Sequence, residues 1–226
     1  MADVEPDLPC PFGYKISWLA ARADTIAVAT AFELEDLRTS NWAAGVAAAN
    51  SPRTVFITPA VRGWTFVVSG GLPEADARVD PSQHRNAAEG VRRFKRFELM
   101  METLSNALGE VQYFGTHRVV EYHAWAKFNK GELVRMFAFL GESGEVVANL
   151  GDVTSEERAI GLADVSGLSL TDATDAVFES EELPNEEWVT TLAGSWSVNP
   201  TQLDCIEATP DVGAVGLLPR KYLDSR

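Results

Sequence analysis

Apolar and polar positions alternate most regularly between Val119 and Asn149. One series is mostly apolar: Tyr122, Ala124, Ala126, Val134, Met136, Ala138, Leu140, Val146 and Ala148. The other holds Glu121, His123, Trp125, Lys127, Arg135, Phe137 and Phe139. A period of two marks extended chain, in which successive side chains point to opposite faces. Two breaks, Asn129-Lys130-Gly131 and Glu142-Ser143-Gly144, end in glycine, which adopts left-handed backbone at no steric cost. The pattern predicts a three-stranded antiparallel meander with three-residue loops. Those loops place Phe128 opposite Glu132, Ala126 opposite Val134, Ala124 opposite Met136 and Tyr122 opposite Ala138. The second loop then sets Leu140 opposite Val146 and Ala138 opposite Ala148. Arg135 falls opposite Trp125. A slip of one residue would turn Glu121, His123 and Lys127 into the core, so the alternation specifies the faces strongly.

The rest of the chain reads as strands and helices in mixed order. Residues 1–13 hold prolines and no periodicity and are expected to form an extended arm. Tyr14, Ile16, Trp18 and Ala20 alternate with polar positions as a first strand. Asp24 is placed to cap a helix over 25–35, and Ser40 a shorter one over 41–49. Val55–Thr58 and Trp64–Val68 read as a hairpin around Pro59–Gly63. Residues 71–86 are a polar connection. Phe94, Phe97, Met101, Leu104 and Leu108 then form one stripe of a helix over 87–108, stopped by Gly109. Glu110–Phe114 begins the sheet that the meander continues, with a turn at Gly115–Arg118. Thr154 and Glu157 form the pattern of a capping box for a helix to about 163. Residues 164–182, acidic and rich in Ser and Thr, read as a loop, and a last helix covers 185–194. The expected architecture is one α+β domain over residues 1–226. Its antiparallel sheet has about seven strands, ends in the C-terminal three-stranded meander and is covered by helices.

Charge sharpens this picture. The net charge is -14. Residues 151–226 hold 15 acids and 4 bases, giving -11, while residues 1–150 hold 18 acids and 15 bases, giving -3. Such a C-terminal region repels nucleic-acid phosphates and attracts a basic protein surface. The basic positions Arg85, Arg92, Arg93, Lys95 and Arg96 are suited to phosphate, but pairing with the acidic C-terminal region explains them more simply. Trp188–Glu207 has a faint helix-turn-helix outline. Its second helix carries Asp204 and Glu207 and no base, which excludes DNA readout. No apolar run approaches the roughly 20 residues needed to cross a bilayer. Met1–Asp7 is acidic and lacks the apolar segment of a secretory signal, so a cytoplasmic location is expected. Cys10 and Cys205 make neither a disulfide framework nor a zinc pattern, and reduced thiols are expected.

The polar series of the meander is the best internal candidate for chemistry. Glu121, His123 and Trp125 lie at alternate positions of one strand, with Arg135 alongside. A carboxylate, an imidazole, an indole and a guanidinium can bind an anion or support acid–base work. Against that stands a structural reading, in which a helix covers the face and Arg135 stacks on Trp125. The histidines His84, His117 and His123 lack the spacing of a metal site, and no phosphate loop, nucleophile elbow or dinucleotide fingerprint is present. No cofactor, metal or catalytic residue is assigned.

The blocks Gly13-Tyr14-Lys15-Ile16-Ser17-Trp18, Val111–Val120 and Trp196-Ser197-Val198-Asn199-Pro200 resemble those of uncharacterised bacterial cytosolic proteins of immunity-protein type. The resemblance implies a small acidic α+β protein that neutralises a toxin by binding it, and it carries over no functional residue. The expected function is a non-enzymatic protein-binding module with a basic partner. Its candidate binding residues are Glu121, His123, Trp125, Arg135, Glu179, Glu181, Glu182, Glu186 and Glu187. The alternative is a small enzyme or ligand-binding protein using the Glu/His/Trp/Arg face. A third reading is a subunit of a homo-oligomer joined through Phe137 and Phe139.

Overall fold

A computed structural model describes residues 4–78 and 87–223. Arg85, His84 and the ends of the chain lie outside the described residues. The strands are β1 (Ser17–Ala21), β2 (Glu35–Ser40), β3 (Thr54–Ile57), β4 (Thr65–Ser69), β5 (Glu110–His117), β6 (Tyr122–Asn129), β7 (Glu132–Leu140), β8 (Glu145–Leu150) and β9 (Gly213–Leu217). They form one nine-stranded antiparallel sheet in the order β2-β9-β3-β4-β1-β5-β6-β7-β8. The helices are α1 (Thr25–Phe32), α2 (Trp42–Ala48), α3 (Ala87–Leu108), α4 (Ser155–Ala159), α5 (Leu170–Phe178) and α6 (Glu186–Trp196), with 3-10 turns at Pro200–Cys205 and Arg220–Tyr222.

Helices cover both faces of this sheet, and the strand pattern shows why. Along β1, Trp18 and Ala20 point into one apolar cluster while Leu19 and Ala21 point into another. The first cluster is rich in aromatic side chains. Trp18, Phe66, Phe114, Trp125 and Phe137 meet Trp42 of α2, Val177 of α5, and Val189, Leu192 and Trp196 of α6. The second holds Val67, Tyr113, Ala124 and Met136 against Val28 and Phe32 of α1 and Phe97, Met100 and Leu104 of α3. Central strands buried on both sides are expected to carry continuous apolar runs, as β4 does at Phe66-Val67-Val68.

The sheet has nine strands rather than seven because β2 and β9 carry no strand alternation. β2 reads Glu-Asp-Leu-Arg-Thr-Ser, exposed along most of its length, and its charges and bulged pairing suit an open sheet edge. β9 reads Gly-Ala-Val-Gly-Leu. Gly213 is required there, because a Cβ would stand 2.2 Å from the Ile57 carbonyl oxygen. The segment 164–182 is not simply a loop. Ser169 caps α5, and Ala173 and Val177 bury its inner face. Residues 4–13 form no regular strand or helix, though Asp7 makes an isolated bridge with Asp211 and Phe12 joins the aromatic cluster.

The meander has the predicted strands but a different register. Its first loop has two central residues, Lys130 and Gly131, with φ of 51° and 85°. Positive φ at both positions is the requirement of a type I′ turn. Asn129 pairs with Glu132, and a bulge then leaves Val134 unpaired and 45% exposed. Ala126 therefore meets Met136, Ala124 meets Ala138, and Arg135 lies opposite Lys127 rather than Trp125. Beyond the bulge each partner is displaced by two positions, while Phe128 meets Leu133 one position from the expected Glu132, so the faces of β6 and β7 survive the error except at Leu133 and Val134. In the second hairpin Ala138 pairs with Ala148 as expected, but Leu140 pairs with Glu145 across a longer turn. The bulge there sends Val146 into the aromatic cluster and leaves Val147 and Ala148 in the other.

Candidate functional site

The polar series of β6 and β7 lies beneath α4 and α6 instead of forming an open face. Its centre is an ion pair between Arg135 and Glu157, both side chains 0% exposed, with Nε to Oε1 at 2.8 Å. The indole N–H of Trp125 donates to the same Oε1 at 2.6 Å. Glu157 arrives there through local sequence. Thr154 caps α4 and its backbone N–H donates to Glu157 Oε2 at 2.8 Å, completing the capping box. One carboxylate thus closes a helix end with one oxygen and receives Trp125 and Arg135 with the other. Arg135 Nη1 also donates to Asn149 Oδ1 at 2.8 Å and to the Gly151 carbonyl at 3.0 Å. Trp125 stacks on Phe137, with ring centroids 4.9 Å apart, and the Arg135 guanidinium sits 5.6 Å from the Phe137 centroid. The expected stack of Arg135 on Trp125 is replaced by this arrangement.

Glu121 and His123 do not complete a constellation with Trp125 and Arg135. Glu121 precedes β6 in left-handed conformation, φ 51°, and its side chain lies against Gly141. His123 is buried beside its strand neighbours Thr116 and Phe139. Burial lowers its pKa from 6.5 to about 4, against the opposing pull of the Glu186 charge. Its Nδ1 has no hydrogen-bond partner among the described residues. His117 ends β5 instead of occupying a turn, and Arg118 pairs with Glu186. Phe137 and Phe139, read as an oligomer interface, are interior residues. Among the described residues no group of three His, Cys, Asp or Glu side chains is placed to hold a metal ion, and no helix is long and apolar enough to cross a membrane.

The acidic candidates occupy the outside of the same helical layer. Glu179, Glu181, Glu182 and Glu187 are exposed, as are Asp172 and Asp175, while Glu186 is half-buried against Arg118. α5 and α6 both bury their inner faces in the aromatic cluster, which sets these carboxylates on one side of the sheet. The basic positions of α3 lie on the other side, where Phe97 and Leu104 join the second cluster. Arg92, Arg93, Lys95 and Arg96 therefore do not meet the carboxylates of α5 and α6. The turn between α5 and α6 is held by Ser180, whose hydroxyl reaches the Val177 and Glu182 carbonyls at 2.5 and 2.9 Å. It presents Phe178, 52% exposed, and Leu183, 41% exposed, among Glu179, Glu181 and Glu182.

These two apolar residues were absent from the sequence expectation because the segment reads as an acidic loop. Ser169 followed by Leu170, Ala173 and Val177 is the helical signal that would have placed them. In comparisons with protein families, curated proteins and solved structures, nothing matches the chain.

Proposed function

We propose that this chain is a protein-binding module that docks a partner with a basic surface through the α5–α6 side, and that it inhibits that partner in the manner of an immunity protein. The observation that carries the reading is the combination on one turn of an exposed aromatic ring, an exposed leucine and clustered carboxylates. Interfaces draw most of their affinity from a few apolar or aromatic anchors, while surrounding charge governs encounter and rejects wrong partners. Phe178 and Leu183 supply the anchors, and the surrounding acidic side chains supply the field. Trp125 and Arg135 are buried, which supports the binding reading over one that uses them as an open internal site.

The test is binding kinetics with the protein encoded beside this one, at low and high salt. Neutralising Glu179, Glu181, Glu182, Glu187 and Asp175 to their amides is expected to slow association and leave dissociation nearly unchanged. Salt is expected to do the same, since exposed charges are screened over about 8 Å at physiological ionic strength. Phe178→Ala is expected to act in the opposite way, through faster dissociation. An association rate indifferent to both salt and neutralisation would leave the acidic side as a solubility feature.

A further inference from the structure

A cavity of about 390 Å³ lies between the N-terminal arm at Pro9, the start of α2 at Trp42, the β3–β4 connection at Pro59–Arg62, and residues 207–211 before β9. The fold holds each of these segments in place. The Asp7 carboxylate accepts from the Trp42 and Ala43 N–H groups at 2.6 and 3.0 Å, and the Asp7 carbonyl accepts from the Asp211 N–H at 3.1 Å. Val61 and Trp64 exchange two backbone hydrogen bonds, of 2.8 and 3.0 Å, so Arg62 and Gly63 form a tight two-residue turn. α2 packs on β3 and β9, whereas α5 packs on β8 at the far end of the strand order. The cavity is therefore separate from the proposed docking surface.

Among the described residues, the charged ones that line this space are Arg62, Glu207 and Asp211. Arg62 and Glu207 make no side-chain hydrogen bond or ion pair among the described residues, so neither neutralises the other. One Asp211 carboxylate oxygen accepts from the Val212 N–H at 2.8 Å, a bond that leaves the charge of the group in place. The remaining wall is largely apolar, with Trp42, Pro9 and Pro59 in it. Two acids and one base around one space are complemented by a ligand that carries two cations and one anion. The net charge of -14 further favours a cationic ligand over an anionic one.

We propose that this cavity binds a free basic amino acid, with Arg62 receiving its carboxylate, Glu207 and Asp211 its two cationic groups, and Trp42, Pro9 and Pro59 lining its methylene chain. A guanidinium fork matches carboxylate geometry with paired hydrogen bonds. The methylene stem of lysine or arginine lies against apolar surface while its charged head stays with polar partners. The volume falls within the roughly 300–1,000 Å³ of small-molecule sites, which combine mostly apolar walls with a few convergent polar groups.

The probes are L-lysine, L-arginine, L-norleucine and cadaverine, titrated calorimetrically into the full chain at low salt. Norleucine keeps the carboxylate and lacks the side-chain cation, while cadaverine keeps both cations and lacks the carboxylate. Lysine or arginine is expected to bind saturably, and the other two probes about tenfold more weakly or worse. Arg62→Gln is expected to weaken lysine by a similar factor and to leave cadaverine unweakened. Glu207→Gln is expected to weaken lysine and cadaverine alike. Both side chains are exposed and make no contact the fold depends on, so unchanged melting curves are expected for both variants. Absence of saturable binding by both lysine and arginine overturns the proposal. So does norleucine or cadaverine binding as tightly as the basic amino acids, or lysine affinity unchanged in both variants.

Discussion

Two arginine–glutamate pairs in this protein are built from similar parts and behave as opposites. Arg135 meets Glu157 in the interior, both side chains 0% exposed, whereas Arg118 meets Glu186 where the side chains are 56% and 22% exposed. Each glutamate lies in the first turn of a helix, α4 or α6, where the positive end of the helix favours a carboxylate. The interior pair is further tied to Trp125 and Asn149. In low dielectric, with its hydrogen bonds directed, it fixes how α4 sits on the meander. The exterior pair is screened by water and contributes little to stability. Charge in the interior of this protein ties a helix to the sheet, and charge on its surface stays in contact with water.

The contrast breaks most readily at Glu157. Glu157→Ala strands a buried guanidinium, and denaturant unfolding is expected to show a loss of about 3–5 kcal/mol. Combining it with Arg135→Met is expected to recover part of that loss, because the unpaired charge is removed along with its partner. Equal losses for the single and double variants would mean that the pair is not coupled.

Gly131→Val comes next. With φ at 85° and a Cβ placed 2.6 Å from Asn106 side-chain atoms, valine is expected to cost about 1–3 kcal/mol. A stability equal to wild type would show that the hairpin has another way to close.

His123 gives a smaller, pH-dependent effect. Its folded pKa is lowered from 6.5 to about 4, so the unfolded chain takes up the proton first. Stability from the neutral imidazole is complete above pH 6.5 and is lost as pH falls toward 4. Thr116 and Phe139 flank the ring without charge, and Glu186 is the carboxylate that opposes the shift. His123→Leu is expected to flatten the stability profile across that interval relative to wild type. Parallel profiles would show that the imidazole is solvated. The smallest effect belongs to Arg118→Gln, whose unfolding midpoint is expected to match wild type within error, as an exposed pair should.

The sequence carries the local signals of this fold better than the distant ones. α3 runs over 87–108 as its apolar stripe requires, and the hairpin of β3 and β4 forms within the expected segments Val55–Thr58 and Trp64–Val68. The two faces of β6 and β7 hold because a loop one residue shorter and a bulge at Val134 together shift the pairing by an even number. β9 was hidden because it gains its place between β2 and β3 from tertiary pairing, which glycine-rich sequence does not advertise. α5 was hidden by its acidic, Ser- and Thr-rich composition, although its cap and apolar spacing were present.

At the site, the capping box of Thr154 and Glu157 was legible, but only half of its meaning. A capping glutamate has two oxygens, and the sequence does not say where the second one points. The polar series on β6 and β7 consequently read as an open face, when the helix that covers it brings the carboxylate that satisfies it. Arg62 and Glu207 line one cavity while lying far apart in the chain, a juxtaposition that no spacing rule encodes.

Docking through the α5–α6 side is tested most directly by amide hydrogen exchange of the chain alone and bound to the protein encoded beside it. Protection on binding is expected in α5, in the turn that carries Phe178 and Leu183, and at the start of α6, with amides of β2 and α3 unchanged. Protection confined to the β2 edge or to the Arg62 cavity, with the α5–α6 turn exchanging as in the free chain, would contradict it.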